Sequence, residues 1–270
     1  MPNAAALYGS RAANGVILIK TKTGKGRKGK GIGVNVYSST TFENVLVLPT
    51  YQNSYGQGSG GQFDYVDGKG GGTNDGVDES WGPKLDGRLI RQFFSKGVAV
   101  PFIAHPNNVR DYFLTGHTYN NGVAFTGGND TYDYRFSYNN SNQTGIYPNT
   151  DLKKNSFGVN TNYKILPNLV LSTSVNFIRN NSDNIPGAFN KRASSTMLQF
   201  TWFGRQVDIN QLKNYLDENG NPINWNNSYY SNPYFIANLN TVSQRRDRVF
   251  GNVNLNYKFL KDFTANFRNL

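Results

Sequence analysis

Along much of this chain, apolar and polar residues alternate with a period of two. Tyr119, Val123 and Phe125 share one phase, and after Gly127-Gly128-Asn129-Asp130 the residues Tyr132, Tyr134, Phe136 and Tyr138 share the next. Phe157, Val159, Thr161, Tyr163 and Ile165 alternate with Gly158, Asn160, Asn162 and Lys164; Leu166-Pro167-Asn168 reverses the chain, and Leu169, Leu171, Thr173, Val175 and Phe177 resume the pattern. A period of two sends successive side chains to opposite faces of a strand, whereas a helix needs 3.6. Each pair with a short polar turn is therefore an antiparallel hairpin. Ile32, Val34 and Val36 open the series, Val249, Val253, Leu255, Tyr257 and Phe259 continue it, and residues 263–268 close it after Leu260-Lys261-Asp262.

The connections follow the order long, tight, medium, tight, long, tight. The long ones are 43–117 and 180–244, the medium one 143–154. A structureless segment as long as 43–117 is unusual inside a compact domain and marks a surface loop. Two short helices are expected within the second, Ala193 to Phe200 and Asp208 to Leu216, the latter capped by Asp208 and ended by Asp217-Glu218-Asn219-Gly220-Asn221-Pro222. Long loops at one end, tight turns at the other, one apolar face and one face of Asn, Ser, Thr and Lys together describe part of an outer-membrane barrel. The predicted fold is all-β, a partial antiparallel transmembrane β-barrel of about seven strands with long extracellular loops. A soluble β-sandwich, serving as a surface binding module or adhesin, also alternates and is the competing reading.

Composition agrees with many amphipathic strands: 37% of residues are hydrophobic and 14% aromatic,. Without cysteine there is no disulfide framework or zinc-thiolate site,. The net charge of +11 is concentrated at one end, since residues 1–31 hold Arg11, Lys20, Lys22, Lys25, Arg27, Lys28 and Lys30 and no acid. The run lacks the aromatic or helical element of a nucleic-acid site, so it reads as a solvated linker with no nucleic-acid partner. Neither a signal peptide nor a run of about 18 apolar residues is present.

Before the first alternating strand, Ala6-Leu7-Tyr8-Gly9-Ser10-Arg11-Ala12-Ala13-Asn14-Gly15 leads into the apolar run Val16 to Ile19, expected to be a strand buried on both faces,. The glycine-rich basic tether 23–31 follows. Gly24, Gly26 and Gly29 match G-x-G-x-x-G, but a dinucleotide site requires a helix to open there, and Ile32 to Val36 is a strand. His105 and His117 lack ligand-spaced partners. Asp75, Asp78 and Glu79 lack the spacing of an EF-hand loop. No G-x-S-x-G occurs and no nucleophile is paired with a base. Catalytic residues, cofactors and metals are accordingly expected to be none, and an enzyme is not expected. The loop aromatics are the better functional candidates, because ring faces beside Asn, Asp and Arg suit sugar or peptide recognition. Trp81, Tyr65, Trp202, Arg205, Trp225 and Tyr230 are the candidate substrate or lid contacts.

Residues 6–21 resemble the motif that closes the plug domain of SusC/RagA family TonB-dependent outer-membrane transporters. Leu7, Tyr8, Gly9, Arg11, Asn14 and Gly15 carry that plug-barrel junction. Ser80-Trp81-Gly82-Pro83-Lys84-Leu85-Asp86-Gly87 resembles a first-loop motif of the same family, as does Asn232-Pro233-Tyr234-Phe235 followed by Arg246-Asp247-Arg248. The resemblance implies a division into 1–22 as the end of a plug, 23–31 as a linker and 32–270 as the first part of a barrel. It further implies residence in a bacterial outer membrane and import of oligosaccharides or peptides. Its partners would be outer-membrane lipid, a SusD-like lipoprotein lid, and TonB acting through a plug N-terminus expected to lie upstream. A barrel of this class has about 22 strands, so this chain is expected to be a fragment that does not transport alone.

Overall fold

The computed structural model describes residues 6, 9–12, 14–17, 22, 31–63, 76–185, 196–260 and 262–269. The tether 23–30 and the junction residues Leu7 and Tyr8 lie outside them.

One antiparallel sheet of seven strands dominates: β1 (Gly33–Glu43), β4 (Gly116–Gly128), β5 (Tyr132–Thr144), β6 (Asp151–Leu166), β7 (Leu169–Ser182), β8 (Gln244–Phe259) and β9 (Phe263–Asn269), hydrogen-bonded in that order. A two-stranded ribbon, β2 (Leu89–Arg91) with β3 (Ala99–Pro101), lies in the first long loop. The sheet is open, with β1 at one edge and β9 at the other.

Register keeps the two faces distinct. Val36 pairs with Val123, Val123 with Tyr138, Tyr138 with Phe157, Phe157 with Phe177 and Phe177 with Val249, so one apolar row crosses six strands. The row from Val34 through Phe125, Phe136 and Val159 to Val175 runs beside it. The opposite face carries rows such as Ser39, Asn120, Ser141, Lys154, Asn180 and Arg246. A slip of one residue in any strand would put its apolar set among these polar rows.

The tight turns fix that register locally. Asn129 Oδ1 accepts from the backbone N–H groups of Thr131 and Tyr132 at 2.8 and 2.9 Å, an Asx turn. At the next turn, Asn168 Nδ2 donates to the Lys258 carbonyl and Lys258 N–H to the Asn168 carbonyl, 2.9 and 2.8 Å, which ties the β6–β7 hairpin to β8.

The apolar face has no layer over it. Val36 is 72% exposed, Val249 70% and Phe136 46%, far more contiguous apolar surface than a soluble monomer leaves open. A sandwich requires a second sheet about 10 Å away; among the described residues the only other sheet is the short β2–β3 ribbon, so the sandwich reading finds no support. No described helix is long and apolar enough to cross a membrane, a statement that does not bear on strands.

Three local expectations need correction. The medium connection narrows to 145–150 because β5 and β6 pair as far as Thr144 and Asp151. The second loop helix shortens to a 3₁₀ turn at Ile209–Leu212, since the chain folds back: Ile223 N–H donates to the Tyr215 carbonyl, and Asp217 Oδ1 gathers the N–H groups of Asn219 and Asn221. Val16 and Ile17 are not in a strand and are 42% and 90% exposed, rather than buried, because no described strand pairs with them; Leu18 to Thr21 lie outside the described residues. The first loop helix is described as α1 (Thr196–Phe200), 193–195 lying outside.

One glycine contact decides the start of the first loop. Residues 54–62 run against 79–85, with Trp81 N–H donating to the Gly58 carbonyl at 3.0 Å and Gly82 N–H to the Gly56 carbonyl at 3.1 Å. A Cβ on Gly82 would stand 2.0 Å from the Gln57 carbonyl oxygen. Gly82→Ala should force these backbones apart at a cost of about 1–3 kcal/mol, seen as lost hydrogen-exchange protection at Gly58 and Trp81 while the amides of β6 and β7 stay protected.

Candidate functional site

The large fully buried side chains lie in the loops, not on the strands. Val109, Tyr112, Phe200, Phe203, Val207, Ile209, Leu212, Trp225, Tyr230 and Tyr234 form one cluster drawn from both long connections. Its rings meet edge to face: Tyr112 with Phe200 at 5.0 Å, Phe200 with Phe203 at 5.3 Å and Phe203 with Trp225 at 5.3 Å; Trp225 then stacks on Tyr230 at 5.2 Å. Such pairs add about 0.5–1.5 kcal/mol each beyond the area they bury.

Buried amides hold the two loops in register. Gln57 N–H donates to Gln206 Oε1 at 2.9 Å and Gln206 Nε2 to Gln57 Oε1 at 3.0 Å. Asn232 is fully buried and links three segments. Its Oδ1 caps α2 (Pro233–Leu239) by accepting from Tyr234 N–H at 2.7 Å, its Nδ2 donates to the Leu212 and Ile223 carbonyls, and its N–H donates to Asn224 Oδ1. Asn followed by Pro at the first helical position suits a helix start. Read from the sequence, Asn232-Pro233 enters only as part of a family motif and this helix is missed, although the Asn-Pro pair is a local signal for its start,; the reach of the amide to two remote carbonyls has no such signal.

Arg205 occupies the centre of a donor fan: Nε to Asn53 Oδ1 at 3.0 Å, Nη1 to Asn108 Oδ1, and Nη2 to the carbonyls of Pro106 and His105, with its guanidinium 4.8 Å from the centre of the Tyr51 ring. Desolvation pulls its pKa down, partly offset by Tyr51, and burial raises that of Tyr51. Burial also raises Tyr112, and carries Tyr234 up to about 12 with the Asp111 carboxylate adding to the shift.

No protein-family model matches the chain. Over 180 residues, 64% of this chain, it is 29% identical to the TonB-dependent receptor P26 of Formosa agariphila, of which the match covers 15%. It also resembles a solved structure of the RagAB peptide importer in its closed-closed state, with a TM-score of 0.57 and 17% identity over 96% of this chain and 29% of the other. The likeness is to SusC/RagA TonB-dependent transporters. The chain thus spans under a third of the length of these two proteins.

In this SusC/RagA-like chain, five of the six candidate contacts are described, and they separate by exposure. Trp81 is 75% and Trp202 40% exposed, so both present ring surface. Arg205, Trp225 and Tyr230 are buried to 2%, 1% and 3%, and their polar atoms are turned inward: Trp225 Nε1 donates to Gln199 Oε1 at 3.2 Å and Tyr230 Oη to Asp78 Oδ2 at 2.8 Å. These three hold the loop body together, with their polar atoms engaged inside it. Tyr65 lies outside the described residues. At the junction, Gly9 and Gly15 adopt φ of +80° and +110°, flanking a 3₁₀ turn at Ser10–Ala12, with Gly15 N–H bonded to the Ala12 carbonyl; Arg11 lies in that turn and Asn14 just after it. Among the described residues no group of three His, Asp or Glu could hold a metal ion. His117 instead packs edge-on to Phe42 at 5.2 Å.

Trp225→Ala should cost the loop body about 3–5 kcal/mol and Trp81→Ala within about 0.5 kcal/mol, compared by urea unfolding followed through tryptophan fluorescence. The pH dependence is alkaline. With Tyr112 and Tyr234 raised, the unfolded chain releases their protons first, so their contribution is complete below pH of about 10 and falls as pH rises through the shifted values. The urea midpoint should drop there, and Tyr112→Phe should weaken that dependence.

Proposed function

We propose that this chain is the wall and outer-loop segment of a TonB-dependent outer-membrane transporter importing oligosaccharides or peptides. The observation that carries the reading is the inverted burial: the sheet offers a broad uncovered apolar face, while the compact aromatic core lies in the loops beyond it. A sheet of this kind is stable where lipid covers one face and a polar lumen the other. The apolar rows then face outer-membrane lipid, the tight turns face the periplasm, and the loop body stands outside the cell.

The exposed Trp81 and Trp202 are the candidate contacts for substrate or for a SusD-like lipoprotein closing as a lid. TonB acts through a plug to which residues 1–22 would belong, with 23–31 as the connector. The sheet here is unclosed, and unpaired edges are not tolerated in the bilayer, so the isolated chain is not expected to transport.

Topology tests the reading. In the outer-membrane receptor that carries this segment, Glu218→Cys in the second long loop should react with a membrane-impermeant maleimide on intact cells, and Asp262→Cys at a tight turn should react only after lysis. The reverse pattern would overturn the orientation. The isolated chain should aggregate in detergent-free buffer and disperse in micelles; a stable soluble monomer would return the reading to a surface binding module or adhesin.

A further inference from the structure

The polar face of the sheet carries a feature that a passive wall does not need. Tyr37, on edge strand β1, lies across the cross-strand position of Gly122, where a Cβ would come within 2.2 Å of its ring, and its hydroxyl donates to Asn139 Oδ1 on β5 at 2.8 Å. Glycine beneath and the amide beyond hold the ring along the wall, while the side chain remains 47% exposed. An aromatic ring held this way is a stacking platform.

Beside it lies a cavity of ≈ 280 Å³ lined by Tyr37, Asn120, Asn139, Asn140, Ser141 and Lys154, with Ser156. Except for Lys154 these are neutral side chains with hydroxyl or amide groups, suited to hydroxyl-rich ligands. Lys154 pairs across the sheet with Ser141 and Asn180, and Asn180 with Arg246. Arg246 therefore stands two strand spacings from Lys154, about 10 Å. Arg248 is on the same face, two residues further along β8. Lys154, Arg246 and Arg248 make no ion pair among the described residues, and by strand phase no carboxylate of β6, β7 or β8 shares their face: Asp151, Asp183 and Asp247 are on the other, where Asp183 meets Lys153 and Asp247 meets Arg179 and Arg245. Excess positive charge with no internal partner favours an anionic ligand.

We infer that this loop-side half of the polar face is a subsite for an acidic oligosaccharide, a chain of sugars bearing carboxylates. A sugar ring stacks on Tyr37, its hydroxyls meet Asn120, Asn139 and Ser141, its carboxylate is held by Lys154, and a following acidic unit reaches Arg246 and Arg248. The inference rests on the importer reading and adds the charge class of the cargo.

The test uses the full-length receptor carrying this segment, purified in detergent, with oligogalacturonate as acidic probe, malto-oligosaccharide as neutral probe and oligoglutamate as acidic peptide probe, followed calorimetrically. Oligogalacturonate should bind, more weakly as salt rises. Lys154→Gln and Tyr37→Ala should each weaken it about tenfold, while Lys153→Gln, on the opposite face, should leave it unchanged. Equal binding of the neutral probe, preference for oligoglutamate, or indifference to Lys154→Gln would overturn the inference. Malto-oligosaccharide or peptide binding with the expected maleimide topology would leave the importer reading standing; failure of that topology would remove the importer reading itself. Retained extraction with the outer membrane and unchanged heat-modifiable gel mobility confirm that each variant has folded.

Discussion

Cross-strand register is the constraint on which the rest of this structure depends. Every backbone group of an interior strand must find its partner on a neighbour, and the same pairing decides which side chains share a face. Here it aligns Val36, Val123, Tyr138, Phe157, Phe177 and Val249 in one row and Ser39, Asn120, Ser141, Lys154, Asn180 and Arg246 in another. Alternation in a single strand would mean little; alternation held in phase over seven strands builds two surfaces that require different solvents. The Asx turn at Asn129 and the Asn168–Lys258 exchange belong to this constraint, since a turn of different length would shift a whole strand by a residue.

Once the sheet has an apolar side with nothing over it, the chain must place its protein-like core elsewhere. The two long connections supply it. Their rings pack from Tyr112 through Trp225 to Tyr230, and the backbone groups that irregular segments leave unpaired are satisfied by buried Gln57, Gln206, Asn108 and Asn232. A long loop built in this way is a fixed body, able to present Trp81 and Trp202 at defined places.

Much was legible in order along the chain. Period two identified the strands, the polar turns identified the hairpins, and the spacing of turns and loops implied one sheet with its loops at one end. The candidate contacts were less legible. Exposure cannot be read from residue type: an arginine beside aromatics looks like a ligand contact, yet Arg205 spends its donors on Asn53, Asn108 and two carbonyls. Trp225 and Tyr230 have the same composition signal as Trp81 and Trp202, and only packing separates them. Asp208 marked a helix start correctly, but the fold-back at Asp217 limited it to a single turn.

The sequence by itself determined the local rules: which segments extend, where they turn, and which face of each is apolar, because these follow from side-chain period and turn chemistry within a few residues. Tertiary structure alone decided which distant residues meet. The stacking of Trp225 on Tyr230, the joining of Gln57 to Gln206 across the two loops and the laying of Tyr37 over Gly122 toward Asn139 all depend on strands and loops far apart in the chain being brought together. No local pattern encodes such distances, for they are set by the register and packing of the whole sheet and its loops.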